Sequence, residues 1–192
     1  MTGLKNKGIK IIEEAFDDNP MINFIIKNDH KRKKRISALA TYSYNRSARR
    51  DGIFFSSDKE GIALCFQFNK KGNLIFDLID QLKLVIKAIG INRALDASKR
   101  ESYRNSIRPT DGNFLYFWYL GVSKKGIGGT AVKELRDSIF LVSKEKNLPI
   151  YLETTILKNK IVYERYGFET YHEWNVPNTE ITMWFMRRTP KS

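Results

Sequence analysis

Side chains that could form a disulfide or a metal site are scarce in this sequence. Its 192 residues include one cysteine, Cys65, and two histidines. A lone cysteine cannot form an internal disulfide, and two separated histidines with one cysteine do not have the spacing of metal ligands. We therefore predict neither a disulfide scaffold nor a bound metal ion.

Long uncharged segments are also missing. The longest one, residues 112–123, has 12 residues, whereas a helix that spans a membrane needs roughly 18 or more. The first residues lead directly into an amphipathic segment, without the apolar stretch and small-residue cleavage site of a signal peptide. We therefore expect no membrane segment and a cytoplasmic location.

Acidic residues are outnumbered, with 21 Asp and Glu against 34 Lys and Arg, which gives a formal charge of +13. This excess suits nucleic acid, an anionic membrane surface or a phosphate-bearing ligand, and does not choose among them. Part of it lies in one run, Lys31 to Arg35, which could be a nucleic-acid patch or a targeting signal. Because Ile36, Leu39 and Ala40 follow at helical spacing, the sequence favours the solvated start of a helix.

Apolar residues are abundant enough for a core, at 42% hydrophobic and 12% aromatic, which excludes disorder for most of the chain. At roughly 150 residues per domain, the length predicts a single domain over 1–192. We expect a helical and hairpin N-terminal half, 1–110, and a C-terminal core, 111–192.

The N-terminal half shows mainly helical periodicity. Helices are predicted near 9–16, 31–47, 74–89 (ending at Gly90) and 94–105, and a β-hairpin at 53–55 and 61–68. The apolar residues 21–26 are left undecided between helix and strand.

The C-terminal half alternates strands and helices. Residues 114–122 have the apolar character of a strand buried on both faces. They are followed by a glycine-rich turn, a helix at 129–146, a strand at 150–154, a short helix at 159–166 and strands at 168–174 and 181–188. The pattern predicts an α/β fold with a right-handed crossover and a final antiparallel hairpin.

The glycine-rich turn carries chemical information. It joins a buried strand to the start of a helix and contains Gly126, Gly128 and Gly129, preceded by Lys124 and Lys125. Unpaired amides, the positive end of the helix dipole and side-chain charge would make it an anion site. It is neither a Walker loop nor a dinucleotide fingerprint, and the alternative is a tight turn with a helix cap.

Five segments in this order and spacing resemble the GNAT superfamily of acetyl-CoA-dependent N-acetyltransferases. They are the strand 117–122, the turn 125–129, the strand 150–154, the run 159–168 and the end of the last strand, 183–188. The resemblance covers somewhat more than a third of the chain, and Ser123 stands where the family's turn usually has Gln or Arg. It implies a mixed, mostly antiparallel central sheet flanked by helices, with a helical N-terminal elaboration.

The resemblance also implies acetyl-CoA as the acetyl donor and assigns residues to it. The backbone of Leu120 and Val122 would pair with the pantetheine arm, and Asn159 would contact that arm or cap a helix. The pyrophosphate would be held by the turn residues Lys125, Gly126, Ile127, Gly128, Gly129 and Thr130.

Two catalytic roles follow from the same resemblance. Tyr163 matches the tyrosine that protonates the departing thiolate, with aromatic packing as its alternative. Glu153 is the first candidate for the base that deprotonates the amine, and a structural ion pair is the alternative. Cys65 lies in a predicted strand between Leu64 and Phe66, so it is expected to be a buried small residue and not a nucleophile, which direct transfer would not need. The histidines are expected to be surface or structural residues.

The leading hypothesis is an enzyme, monomer or homodimer, that moves an acetyl group directly from acetyl-CoA to an amine of a small molecule or protein. A longer acyl-CoA donor is not separable from acetyl-CoA by sequence. The alternative is a catalytically weak or inactive GNAT-like basic binding module for an acidic partner or nucleic acid, the latter possible but not favoured.

Overall fold

The computed structural model describes residues 2–17, 19–26, 28–89 and 91–190. Its helices are α1 Thr2–Asp17, α2 Pro20–Ile25, α3 Arg32–Ala48, α4 Leu74–Leu84, α5 Ile91–Ile107, α6 Ala131–Lys146 and α7 Leu157–Arg165. Its strands are β1 Ile53–Phe55, β2 Gly61–Gln67, β3 Leu115–Val122, β4 Ile150–Thr154, β5 Glu169–Asn175 and β6 Thr182–Arg188. A π-helical turn, Val85–Ile89, continues α4. Gly90, where the sequence predicts the helix 74–89 to end, lies outside the described residues.

The six strands form one sheet in the order β1-β2-β3-β4-β6-β5. Every neighbouring pair is antiparallel except β3 and β4, which are parallel. A parallel pair needs a crossover, and α6 supplies it. The predicted mixed, mostly antiparallel sheet with flanking helices is confirmed.

Two apolar cores lie against this sheet because successive strand side chains alternate between its faces. In one core, Ile139 of α6 packs with Phe117 of β3. In the other, Ile12 of α1 and Ile36 of α3 pack with Leu64 of β2. The helices therefore sandwich the middle strands.

Helix α4 has its polar side inward. Asp77 forms ion pairs with Arg49 at 2.7 Å and with Arg50 at 2.6 Å, and Asp80 pairs with Arg49 at 2.9 Å. Both arginines lie just after the end of α3. The apolar residues that predict this helix face outward, with Leu74, Leu78 and Leu82 exposed by 73%, 59% and 55%. The periodicity thus predicts the helix correctly, but ion pairs decide which face is buried.

Two other segments of the N-terminal half are helical. The undecided residues 21–26 lie mostly in the short helix α2. The basic run opens α3, as its spacing predicts. Among the described residues, no helix is both long enough and apolar enough to cross a membrane.

The core on the α6 side should make a large contribution to stability. Ile139 is fully buried and Leu141, on the same helix, is 56% exposed. Ile139→Ala is expected to lower the free energy of unfolding by about 2–5 kcal/mol, since it leaves a cavity. Leu141→Ala should change it by less than about 0.5 kcal/mol. Urea denaturation of both variants measures the difference, and equal losses would contradict this packing.

Candidate active site

The two central strands, β3 and β4, separate soon after they begin. Their register joins Leu115 to Ile150 and Tyr116 to Tyr151, while β3 remains paired with β2 as far as Val122. The edge of β3 that faces β4 is therefore open over most of its length. An open strand edge inside a sheet presents unpaired N–H and C=O groups, which an extended ligand can use.

A β-bulge interrupts β3 at the start of this opening. Tyr119 pairs with Leu64 of β2. Phe117 pairs with the next residue of β2, Cys65. Trp118 is therefore the extra residue of the bulge, which reverses the side to which later main-chain groups point.

Two hydrogen bonds show this reversal. Before the bulge, the Leu115 N–H donates at 2.8 Å to the carbonyl that precedes β4. After it, the Ser123 N–H donates at 2.8 Å to the carbonyl that precedes β2. Because main-chain groups alternate sides along a strand, those of Leu120 and Val122 face the open edge. These are the two residues that the sequence resemblance assigns to the pantetheine arm.

The open edge leads into the glycine-rich turn. The amides of Gly126 and Gly129 close the turn itself, through bonds of 2.9 and 3.1 Å to carbonyls three residues earlier. In the described part of the chain, the amides of Ile127, Gly128 and Thr130 have no partner. Three free donors therefore lie just before the start of α6, where the helix dipole also favours an anion.

Glycine is required at two positions of this turn for different structural reasons. Gly128 has φ +82°, in the left-handed region, and an added Cβ there would meet no atom within 4 Å. At Gly126 a Cβ would lie 2.7 Å from Val122 Cγ1 and 2.8 Å from Glu60 Cβ. Gly126 lets the turn pack against the hairpin, whereas Gly128 leaves open space in front of it.

Ser123, the departure from the family's turn, has a structural partner. Its hydroxyl donates to Glu60 at 2.5 Å, and Glu60 also pairs with Lys7 of α1 at 2.8 Å. The side chain thus ties the start of the turn to the hairpin and to α1, and it leaves the three free amides unobstructed.

Tyr163 of α7 packs beside β3. Its ring centre lies 6.1 Å from that of Phe117, edge to face, and 5.5 Å from that of Phe168. Gly167, with φ +84°, turns the chain so that the Phe168 N–H donates to the Tyr163 carbonyl at 3.0 Å. Burial, with a smaller contribution from Tyr166, raises the pKa of Tyr163 to about 12. The hydroxyl therefore carries its proton throughout the neutral range.

A second tyrosine belongs to this region, and the sequence analysis missed it. The Tyr119 hydroxyl is buried and has no hydrogen-bond partner among the described residues. Burial raises its pKa, and the nearby Tyr163 raises it further. An orphaned buried hydroxyl at the open edge is a ready partner for a polar ligand group. No sequence signal marks it, because Tyr119 has the pattern of a core residue of a buried strand.

Asn159 lies in the first turn of α7, which begins at Leu157. The N-cap alternative for Asn159 is therefore wrong, because Ile156 occupies the cap position. The side chain of Asn159 is exposed, which leaves its amide available to a ligand.

Glu153 lies two residues beyond the last residue of β4 that pairs with β3, and a buried arginine holds its side chain. Arg108 Nε and Nη2 donate to its two oxygens at 2.7 and 2.9 Å, and the Tyr116 hydroxyl donates at 2.6 Å. The Arg108 and Glu153 side chains are only 3% and 7% exposed. The pair ties the end of α5 to the sheet.

This ion pair sets the basicity of Glu153. Burial would raise the pKa of its carboxyl, but Arg108, together with Arg104 and Tyr116, outweighs burial and holds the pKa below its usual range. A carboxylate with a lowered pKa and both oxygens bonded is a poor proton acceptor. The contacts thus favour the structural ion pair that the sequence leaves open as the alternative to a base.

The other reactive side chains lie away from the open edge. Cys65 is 3% exposed, and burial raises the pKa of its thiol, which confirms the expectation of a buried residue. His172 is hydrogen-bonded to Tyr103 at 3.0 Å, and His30 is exposed.

Comparison with known proteins finds similarity to N-acetyltransferases. No family model matches the chain. An uncharacterised N-acetyltransferase of Schizosaccharomyces pombe is 26% identical over 176 residues, covering 84% of this chain and 69% of the relative.

Two solved structures share the fold. The structure of histone acetyltransferase HPA2 and related acetyltransferase from Corynebacterium glutamicum superposes with a TM-score of 0.68 at 16% identity, covering 100% of this chain and 94% of that one. Arylalkylamine N-acetyltransferase 2 from Aedes aegypti gives 0.66 at 15% identity, covering 97% and 95%. The shared fold and the N-acetyltransferase relative support an acyltransferase of the GNAT type, in agreement with the resemblance of the motifs.

The Arg108–Glu153 pair should be a large contributor to stability. Glu153→Gln removes the buried counter-charge of Arg108 and leaves only the more exposed Glu101, at 2.9 Å, so it is expected to lower the free energy of unfolding by about 3–5 kcal/mol at pH 7. Adding Arg108→Met should recover much of this loss, since both charges are then gone. Urea denaturation checks both variants, and a loss below about 1 kcal/mol for Glu153→Gln would contradict the pairing.

The same pair predicts a pH dependence. Because folding lowers the pKa of Glu153, its contribution is complete above the unfolded value of about 4.3 and disappears as the pH falls through the folded value. Stability measured from pH 6 to 3 should therefore decline less steeply in Glu153→Gln than in the unsubstituted protein.

Proposed function

We propose that this protein transfers the acetyl group of acetyl-CoA directly to an amine. The observation that carries the proposal is the open edge of β3, where the main chain of Leu120 and Val122 faces the gap beside β4. The GNAT-type fold and the N-acetyltransferase relative support the same reaction class.

The residues present fit acetyl-CoA. The edge at Leu120 and Val122 suits an amide-bearing pantetheine arm, and Asn159 lies free to contact it. Lys125 and the free amides of the turn, at Ile127, Gly128 and Thr130, suit a pyrophosphate, while Gly126 and Gly129 shape the turn. Bound acetyl-CoA supplies a reactive acetyl thioester. On this assignment residues 111–192 hold the donor, and residues 1–110 contribute to the acceptor side.

Tyr163 is the proposed general acid. Its pKa of about 12 keeps the proton on Oη at neutral pH, and the Phe117 and Phe168 rings hold the side chain beside β3. From this position Tyr163 Oη provides the proton that the leaving sulfur requires.

Removal of the amine proton is assigned to water, not to Glu153. The Glu153 carboxylate is saturated by Arg108 and Tyr116. Its place in the proposal is that of a positioning residue, which keeps α5 against the open end of the sheet.

An acetyl-CoA thermal-shift titration tests the donor site. We expect a saturable rise in melting temperature, because a ligand that binds only the folded state adds about 2.7 kcal/mol at a hundredfold excess over its Kd. Gly128→Glu should weaken binding strongly, since a carboxylate would then face the pyrophosphate. Gly128→Ala carries the same backbone strain at φ +82° without the charge, and this variant should bind acetyl-CoA more tightly than Gly128→Glu does. No shift at millimolar acetyl-CoA would contradict the proposal.

Tyr163→Phe tests the acid. We expect kcat to fall by about 10²–10⁴-fold, the usual contribution of a general acid, while the Kd for acetyl-CoA stays unchanged. Tyr166→Phe, which removes a hydroxyl at the end of the same helix, should keep normal turnover. Unchanged kcat and pH profile in Tyr163→Phe would show that the assignment is wrong.

A further inference from the structure

A cleft of about 640 Å³ lies between α3 and α4. This volume is typical of sites for small molecules. Four of the five charged residues that line it are lysines, Lys31, Lys34, Lys83 and Lys87, and the fifth is Asp80. We call it the lysine cleft.

The charges of the lysine cleft are not neutralised from within the protein. Asp80 is engaged by Arg49 at 2.9 Å. Among the described residues, none of the four lysine side chains is in an ion pair. The arginines of the same basic run differ, because Arg32 pairs with Asp17 at 2.9 Å and Arg35 with Asp29 at 2.8 Å. The run thus contains two arginines in ion pairs and two lysines, Lys31 and Lys34, that line the cleft.

The lysine cleft reaches the sheet at the bulge of β3. Tyr42 lines the cleft, and its ring contacts that of Trp118 edge to face, with centres 6.1 Å apart. Trp118 is the extra residue of the bulge, next to the open edge at which the donor site is proposed. A molecule in the cleft can therefore approach the donor from the face of the sheet opposite α6.

We propose that the lysine cleft binds the acceptor and selects an amine that also carries a phosphate or similar anionic group. The inference rests on the proposed acetyltransferase function and names its substrate class. A simple amine is an ammonium ion at neutral pH, and four unpaired lysines repel it. An anionic group on the same molecule converts that repulsion into attraction at short range.

The test compares tyramine with tyramine O-phosphate, which differ in the anionic group. Isothermal titration calorimetry without acetyl-CoA should show that tyramine O-phosphate binds at least tenfold more tightly than tyramine. This difference in affinity should decrease with added salt. Lys83→Gln with Lys87→Gln should weaken binding of tyramine O-phosphate at least tenfold and should not weaken binding of tyramine, since the repulsion of its ammonium group is then smaller. Lys144→Gln with Lys146→Gln, an equal charge change on exposed residues at the end of α6, should alter neither. Thermal melting of both double variants checks that they fold.

Coenzyme A release with the same amines gives the second readout. We expect a lower KM for tyramine O-phosphate than for tyramine. In the Lys83/Lys87 double variant, only the KM for tyramine O-phosphate should rise. Equal binding of the two amines, or equal effects of the two double variants, would overturn the cleft inference even where acetyl-CoA raises the melting temperature. Lysine-dependent binding of the phosphate without any acetyl-CoA shift would support the cleft and contradict the proposed function.

Discussion

The short parallel pairing between β3 and β4 is the constraint on which the rest of this molecule depends. Two residue pairs join the strands, and beyond them the sheet is open. The bulge at Trp118 determines what the opening presents, since it turns the main-chain groups of Leu120 and Val122 towards the gap. The glycine-rich turn continues from the same edge, so the strand geometry alone forms the surface at which the extended, phosphate-bearing donor is proposed to bind.

Charge, more than apolar burial, positions the helices inserted between β2 and β3. Asp77 and Asp80 hold α4 against the arginines at the end of α3, and Arg108 holds the end of α5 to β4 through Glu153. Because carboxylates occupy the inner side of α4, Lys83 of α4 and Lys87 of the π-helical turn that continues it can face the cleft opposite Lys31 and Lys34. The arrangement that anchors these helices also produces the basic surface beside the bulge.

Local patterns were sufficient for much of the fold and for selecting the residues of the proposed donor site. Periodicity located the helices and strands, and the motif residues at the turn and around Tyr163 indicated the family. Such features are readable because each depends on neighbours within a few positions, as when Gly167 allows Phe168 to bond back to Tyr163. Glu153 shows the limit of this approach, because its acidity depends on Arg108, 45 residues away along the chain.

The sequence by itself determined the order of elements, the glycines of the proposed anion-binding turn and the tyrosine at the proposed acid position, because these are consequences of local backbone geometry and residue type. Only the tertiary structure decided which face of α4 is buried, which strand edge is open and which lysines remain unpaired. Those outcomes depend on contacts between distant segments, where a single ion pair or a one-residue bulge changes the direction in which a whole element points.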